Sequence, residues 1–379
     1  MPLIVIYNPV SGDRTAAKLT TDTILPLLAT HNVTPDKVAG TEYAGHAGEL
    51  LLSYIDSLAP SIRAEPITLV LVSGDGTLHE IVNALHSARS KQEGSVPVLR
   101  IALIPGGTAN ALHATFFPPS STSSTDTPEP TVLASLLLFL SAAQRLVPLT
   151  FARTIIPTSP PVLSGIENPD EIPTTSAPAP SSDAVLSVVV TSTALHAAIL
   201  HDSEALRASV PGIERFKLAA AQNATTWYRA RARLLAPVQR YDVTTGTFEE
   251  EEPLELSGPF VYFLSTVNVD RLEPLFRIAP LQRTLPPPPG GPQTMDVIVV
   301  RPLRDPSLEG KAGEKERERF KERVWGAIGA AYQDGAHINA RYHSQDGKTD
   351  GLPVVEYFRV GGWEWIPVGL PWSMSPLRR

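Results

Sequence analysis

Across its first 150 residues the sequence predicts an α/β fold, a Rossmann-like parallel sheet wrapped by helices. Three observations carry this reading. Short apolar runs of strand length recur at Leu3–Tyr7, Ile67–Val72 and Arg100–Pro105. Between them, apolar residues fall at helical spacing. Each run also stops at a polar turn containing glycine: Asn8–Gly12, Ser73–Thr77 and Gly106–Asn110. Alternating strands and helices imply parallel pairing, which puts all three turns on one edge, beyond the carboxyl ends of the strands.

The elements follow in order. LIVIY is a buried strand that ends at Asn8-Pro9. NPVSGDR leads into an irregular helical stretch to about Leu28, interrupted by Pro26. Val38–Thr41 is a second strand candidate. Leu51, Tyr54, Ile55 and Leu58 form the stripe of a core-facing helix. ITLVLV is the clearest buried strand, and Leu78, Ile81, Val82 and Leu85 then mark the next helix. RIALIP is a further strand, with a helix starting at ALHATFF. The longest apolar stretch, Leu133–Ala143, is too short to span a bilayer and reads as a buried helix.

Composition bounds the rest. The chain has 379 residues, which suggests two domains at about 150 residues each. Its 37 prolines are about twice the usual ~5%. Proline breaks helix interiors and central strands, so the excess belongs between elements. Ser/Thr/Pro-rich stretches at 118–130 and 157–183 read as disordered insertions, and TLPPPPGGPQ as a rigid loop. With no Cys, disulfides, thiolate zinc sites and cysteine nucleophiles are excluded. A net charge of −7 argues against general nucleic-acid binding. Nine His residues show no metal-binding spacing. No signal peptide is visible in MPLIVIYNPV, so the cytosol is the expected location, with a membrane surface accessible from it. FEEEEPLE (248–255) reads as a solvated hairpin tip, and 311–332 as a surface helix packed through Phe320, Val324, Ile328 and Ala331. Trp363, Trp365 and Trp372 read as core or strand packing.

The three turns suit phosphate binding. Glycine brings backbone N–H groups close to a ligand, and a helix start adds unpaired N–H groups and partial positive charge. Gly74, Gly76, Gly106 and Gly107 all stand at strand-to-helix junctions. Asp75 lies between two glycines, where an acid can take a hydroxyl proton or bind a nucleotide's Mg²⁺; taken alone, the position favours the simpler reading of a helix N-cap. No Gly-Lys-Ser/Thr follows, so this is not a Walker A loop, nor is it GxGxxG.

SGDGTLHEIVNAL (Ser73–Leu85) and PGGTANAL (Pro105–Leu112) resemble the two signature loops of the diacylglycerol kinase and sphingosine kinase catalytic-domain superfamily. Asn8-Pro9-Val10-Ser11-Gly12 is similar to its first loop, and GTEYAGHAGELL (Gly40–Leu52) to its Thr-Glu segment before a helix. A weaker similarity, sphingosine-kinase-like, continues through Leu186–Leu234, with an Asp202-Ser203-Glu204 turn, Arg207 and the Arg215-Phe216 step into a helix. GPFVYFLSTVNVD and TMDVIVVRPL resemble later strands of the family.

The resemblance implies an α/β ATP-binding domain over 1–147 and a β-sandwich-like lipid domain over 148–379, interrupted by the insertion at about 157–182. It implies an ATP- and Mg²⁺-dependent lipid kinase, with the active site between the domains and a lipid as the partner at a transient membrane surface. Asp75 matches the residue that activates the lipid hydroxyl. Asn8, Thr41, Ser73, Gly74, Gly76, Glu80, Gly106, Gly107, Thr108 and Asn110 match nucleotide-contacting positions, and Arg207 and Arg215 would face the phosphates.

Two departures stand out. The Asp pair that recognises an amino-alcohol head group in sphingosine kinases falls on Ala198 and Leu200. The closing Asp-Gly loop is also missing after PVVEYFRV; Asp346-Gly347 and Asp350-Gly351 come too early. The expected acceptor is a lipid with a free hydroxyl, a sphingoid base first and diacylglycerol second, the departure at Ala198 and Leu200 weakening the case for the base. An NAD-kinase-like activity and a catalytically impaired nucleotide- or lipid-binding homologue are the alternatives.

Overall fold

Four parallel strands build the N-terminal sheet: β1 (Leu3–Tyr7), β2 (Lys37–Gly40), β3 (Ile67–Ser73) and β4 (Leu99–Pro105), in the order β2-β1-β3-β4. The computed structural model describes residues 1–91, 97–119, 131–141, 144–156, 184–207, 209–210, 212–342 and 351–368. Most of both Ser/Thr/Pro-rich insertions, the Asp346-Gly347 pair, Asp350 and Trp372 lie outside them.

Helices cover both faces of this sheet. Between β1 and β2 the chain forms α1 (Ala16–Leu19), a π-helical turn (Thr20–Ile24) and α2 (Leu25–Thr30). Pro26 is the second residue of α2. The wide turn before it carries the chain past a proline that has no N–H to give, so the stretch stays helical. These helices bury Ala16, Ile24 and Leu28 against Leu3, Val5, Val70 and Val72. The opposite face of the sheet, Ile4, Ile6, Leu69 and Leu71, packs on α3 (His46–Ser57) through Leu51, Tyr54 and Ile55; α4 (Pro60–Arg63) follows. The same face packs on α5 (Asp75–Lys91) through Leu78 and Ile81. Each fully buried Leu, Ile or Val contributes about 1.5–3 kcal/mol. After β2 the chain crosses to the far side of β1 to form β3, so the strand order reverses between β1 and β3. A crevice for ligands opens at such a switch point.

After β4 come the short α6 (Ala111–Phe116) and, further on, α7 (Ala134–Leu140). The buried helix expected over 133–143 is corrected here. Only Leu136 of α7 is fully buried, while Leu137 and Leu138 are exposed. The helix lies against β4 at the sheet's edge, where Ser135 Oγ accepts the Leu103 N–H (3.0 Å), so a single face finds a partner.

The second half is antiparallel. β5 (Ala152–Thr154) and β6 (Val185–Ser187) form a ribbon. A seven-stranded sheet follows, made of β7 (Val190–Thr193), β8 (Ala230–Asp242), β9 (Thr247–Glu251), β10 (Leu254–Ser257), β11 (Tyr262–Thr266), β12 (Met295–Val300) and β13 (Glu356–Pro367). The order is β10-β8-β13-β12-β11-β7, with β9 also on β8. The long β13 bulges at Gly361, where a Cβ would run into the Ala236 carbonyl. Beyond the bulge, Trp363 and Trp365 pack onto Phe263, with ring centroids 5.0 and 5.2 Å away. One sheet thus folds over on itself into a sandwich, with Phe263, Val297, Val299 and Phe358 inside.

The outer face of β11–β13 is covered by α8 (Ala194–Ala205), α10 (Leu281–Thr284) and α11 (Glu314–Ala331), and α9 (Glu214–Asn223) packs on α8. α11 buries Phe320, Val324 and Ala331 as its spacing predicts. The acidic run is not a hairpin tip. Thr247–Glu251 and Leu254–Ser257 both pair with β8, and Glu251 meets Arg240 at 3.2 Å. Nor is Asp202-Ser203-Glu204 a turn, for these residues lie in the last turns of α8.

Candidate active site

The three glycine-containing turns meet at the carboxyl edge of the parallel sheet and are knit together by short polar contacts. The Asn8 N–H donates to Val72 O (3.0 Å), which extends the β1–β3 pairing by one residue. Its side chain then crosses the switch point, donating from Nδ2 to Thr77 Oγ1 (3.1 Å) while Oδ1 accepts the Val10 N–H (3.1 Å). Ser73 Oγ donates to the same Thr77 hydroxyl (2.5 Å). Ser11 Oγ donates to Gly106 O (2.8 Å), tying the first turn to the third.

Glycine is required here by close approach of the chain to itself. A Cβ on Gly107 would stand 2.5 Å from Gly74 Cα, and one on Gly12 (φ +49°) would stand 2.5 Å from Gly106 O. Gly106 is closed by its own N–H to Ser73 O (3.1 Å). Asn110 holds the left-handed conformation (φ 56°) that Asn tolerates. Its amide braces the third turn, with Oδ1 accepting the Gly107 N–H and Nδ2 donating to Gly107 O, both at 2.8 Å. Gly76 differs from its neighbours. It is exposed, and a Cβ there meets nothing within 4 Å.

Asp75 opens α5, but its carboxylate caps a different helix. Oδ2 accepts the Ala111 N–H (2.7 Å) and Oδ1 the Leu112 N–H (3.2 Å), both at the start of α6. Burial pushes the Asp75 carboxyl above the ordinary carboxylate range, and the backbone donors pull against that shift. The cleft in front of it is lined by Ser73, Gly74, Pro105, Asn110 and His113. An acid fixed in this way can accept a proton from a hydroxyl or bind a cation.

The other anticipated residues are more scattered. Thr41 is buried at the end of β2, its N–H on Tyr7 O (2.9 Å). Glu80 is half-buried in the second turn of α5, and Thr108 is exposed at the tip of the third turn. Arg207 and Arg215 lie at the α8–α9 junction. Arg207 is exposed and paired with Glu204 (2.7 Å). Arg215 is buried, with its guanidinium over the Phe216 ring (4.6 Å) and its Nε without a partner. Burial, aided by the charge of Arg207, lowers the Arg215 pKa. Among the described residues, no hydrogen bond or ion pair joins either arginine to the glycine turns. Leu200 is exposed on α8, and Asp202 is engaged by Asn223 Nδ2 (2.7 Å) and His201 (2.9 Å).

Contacts between the two halves were missed by the sequence reading. On α5, Asn83 Nδ2 donates to Leu186 O (2.9 Å) and its Oδ1 accepts the Leu186 N–H (2.8 Å). On α6, Thr115 donates to the buried Asp270 (3.2 Å). Asn83 stood within a recognisable motif, but nothing local to Thr115 or Asp270 signals a partner 155 residues away. No helix of the described residues is long and apolar enough to cross a membrane.

Part of the chain is similar to known proteins. Residues 2–132 match the diacylglycerol kinase catalytic domain. Sphingosine kinase 1 of Arabidopsis thaliana is 31% identical over 118 residues, or 31% of this chain and 22% of that protein. Sphingosine kinase 1 of Rattus norvegicus is 34% identical over 116 residues, or 30% of this chain and 27% of that protein. The match thus spans about a quarter of each relative's length. A crystal structure of a diacylglycerol kinase from Bacillus anthracis str. Sterne superposes with a TM-score of 0.43 at 13% identity, covering 97% of this chain and 86% of that one. Residues 2–132, about a third of the chain, are thus similar to the diacylglycerol kinase catalytic domain and to part of the sphingosine kinases.

Proposed function

We propose that this protein is an ATP- and Mg²⁺-dependent lipid kinase that phosphorylates a lipid hydroxyl. The observation that carries the reading is Asp75: its carboxylate is held by the Ala111 and Leu112 N–H groups at the edge where the three turns converge. Phosphoryl transfer asks mainly for positioning and charge neutralisation. Asp75 accepts the acceptor hydroxyl's proton. The open space over Gly76 leaves room for phosphate oxygens beside the first N–H groups of α5, with Asn8, Thr41, Ser73, Gly74, Glu80, Gly106, Gly107, Thr108 and Asn110 shaping the nucleotide site. The unpartnered Nε of the buried Arg215, with Arg207 beside it, offers positive charge to an anion. ATP with its Mg²⁺, when bound, supplies the phosphoryl group. Among the described residues no group of three or more His, Cys, Asp or Glu is assembled for a metal.

On the family resemblance, the acceptor's head group meets α8 near Ala198 and Leu200. Neither is charged, and Asp202 is tied to Asn223. An ammonium head would meet no carboxylate on those two residues, and the carboxylate of the neighbouring Asp202 is already engaged by His201 and Asn223. Diacylglycerol or another uncharged lipid alcohol fits this surface better than a sphingoid base.

Radiolabelled ATP and a panel of sphingoid bases, diacylglycerols and NAD, offered to the full chain, test the reading. A phosphorylated lipid product supports it. NADP as the sole product reassigns the protein to NAD phosphorylation, and tight ATP binding without any product makes it a sensor.

A further inference from the structure

The geometry points to Asn83 and Thr115 as positioning residues that lock the second half of the chain onto the two helices which together form the Asp75 site. The inference rests on the reading of Asp75 as the proton acceptor, and it concerns residues outside the glycine turns.

Asp75 belongs to α5, and its two N–H donors belong to α6. The carboxylate therefore keeps its place only while α5 and α6 keep theirs. α6 is a short helix of six residues, too short to hold its position by itself. Each of the two helices is gripped from the second half. Two turns into α5, the Asn83 amide pairs with the Leu186 backbone through both its oxygen and its nitrogen, as a neighbouring strand would, and Nδ2 also reaches His79 O (2.9 Å). One turn into α6, Thr115 Oγ1 donates to Asp270 Oδ1.

Asp270 is a rigid anchor. It is 1% exposed, and its carboxylate also accepts from Arg271 Nε (2.8 Å) and Arg277 Nε (3.0 Å). Arg277 is held in turn by Asp334 (2.6 Å), and the Asp270 carbonyl accepts the Ala279 N–H (2.9 Å). The grip on α6 is thus fastened to the loop that lies on the second half's own core. A reaction between groups brought from two halves depends on their register, and a displacement of about 1 Å costs up to 10²-fold in rate.

The test uses the full chain with Thr115→Val, which keeps the shape and removes the hydroxyl, and Thr115→Ser, which restores it. Asn83→Asp keeps the acceptor and removes the donor. Lipid phosphorylation is measured beside nucleotide affinity and amide hydrogen exchange at Ala111 and Leu112. Thr115→Val should lower kcat about tenfold, the loss of about one hydrogen bond's worth of positioning, with the KM for ATP and the nucleotide Kd within about twofold of the wild type. Exchange at the two amides should quicken, and Thr115→Ser should recover both. Asn83→Asp should lower kcat in the same way. An unchanged kcat in Thr115→Val, or a loss that Thr115→Ser does not recover, overturns the inference. If the wild type binds ATP but phosphorylates no lipid, the lipid-kinase reading fails separately. Exchange at Ala111 and Leu112 then decides: faster exchange in Thr115→Val keeps the coupling, and unchanged exchange overturns it.

Discussion

Substituting alanine at Gly76 and at Gly107 should separate ligand contact from chain packing. At Gly107 the added methyl would stand 2.5 Å from Gly74 Cα and 3.0 Å from Asn110 Oδ1. Both neighbours are held, Asn110 by its bonds to Gly107 itself, so the turns must part. Overpacking of this kind costs about 1–3 kcal/mol. Gly107→Ala should therefore lose both thermal stability and nucleotide binding. At Gly76 the methyl meets no protein atom within 4 Å, and the residue sits in the first turn of α5. Alanine is favoured over glycine in a helix by up to about 1 kcal/mol, so Gly76→Ala should melt at the same temperature or higher. The same methyl would crowd a phosphate lying over the turn. At about 1–3 kcal/mol for such a clash, ATP affinity should fall roughly 5- to 150-fold. Differential scanning fluorimetry and titration calorimetry with ATP read the two effects apart. A Gly76→Ala protein that binds ATP as tightly as the wild type would refute the placement of phosphates over this turn.

Other consequences concern the second half. Ala194 is buried at a positive φ of 58°, where a β-branched side chain is strained, so Ala194→Val should cost about 1–3 kcal/mol in urea unfolding. His337 is 2% exposed with Nε2 on Ile278 O, and burial pushes its pKa down to about 4 from 6.5. Its neutral form is the native one, so its contribution is complete above pH 6.5 and is lost as pH falls towards 4. That loss is worth up to about 3 kcal/mol, and thermal melts of His337→Gln should show a flatter pH dependence over this range. Burial raises the Glu356 carboxyl, but Arg301 (2.7 Å) and Arg304 (2.5 Å) outweigh it and hold it below its usual 4.5. This pairing stabilises above that value and weakens as pH drops below it. Glu356→Gln should cost about 2–3 kcal/mol at pH 7, less than a fully buried pair because both arginines reach solvent, and progressively less as pH falls below the usual carboxylate range.

The parallel sheet was legible because its signals are local. Leu3–Tyr7 and Ile67–Val72 are almost wholly apolar, and each ends in a turn that the sequence marks with glycine, although the atoms that require glycine at Gly12 and Gly107 belong to other turns. The four-strand edge and the meeting of Asn8, Ser73 and Gly106 followed from that order. What escaped depends on distant partners. The periodicity of Leu133–Ala143 shows an apolar helix but not that one face lies at a sheet edge. A run of four glutamates suggests a solvated tip, and only the pairing with β8 through Arg240 makes it a strand. Thr115 and Asp270 carry no pattern, since their contact arises when two halves fold against each other. The bulge at Gly361 likewise answers to Ala236, a residue remote in sequence.

The most direct test of the central claim is the turnover of Asp75→Asn on the best lipid acceptor, set beside its ATP affinity. The amide keeps the size of the carboxylate but cannot take up the hydroxyl's proton. The account predicts ATP binding within a few-fold of wild type and a kcat lowered by about 10²–10⁴, the usual worth of general base catalysis. A variant that transfers phosphate to lipid at the wild-type rate would contradict it.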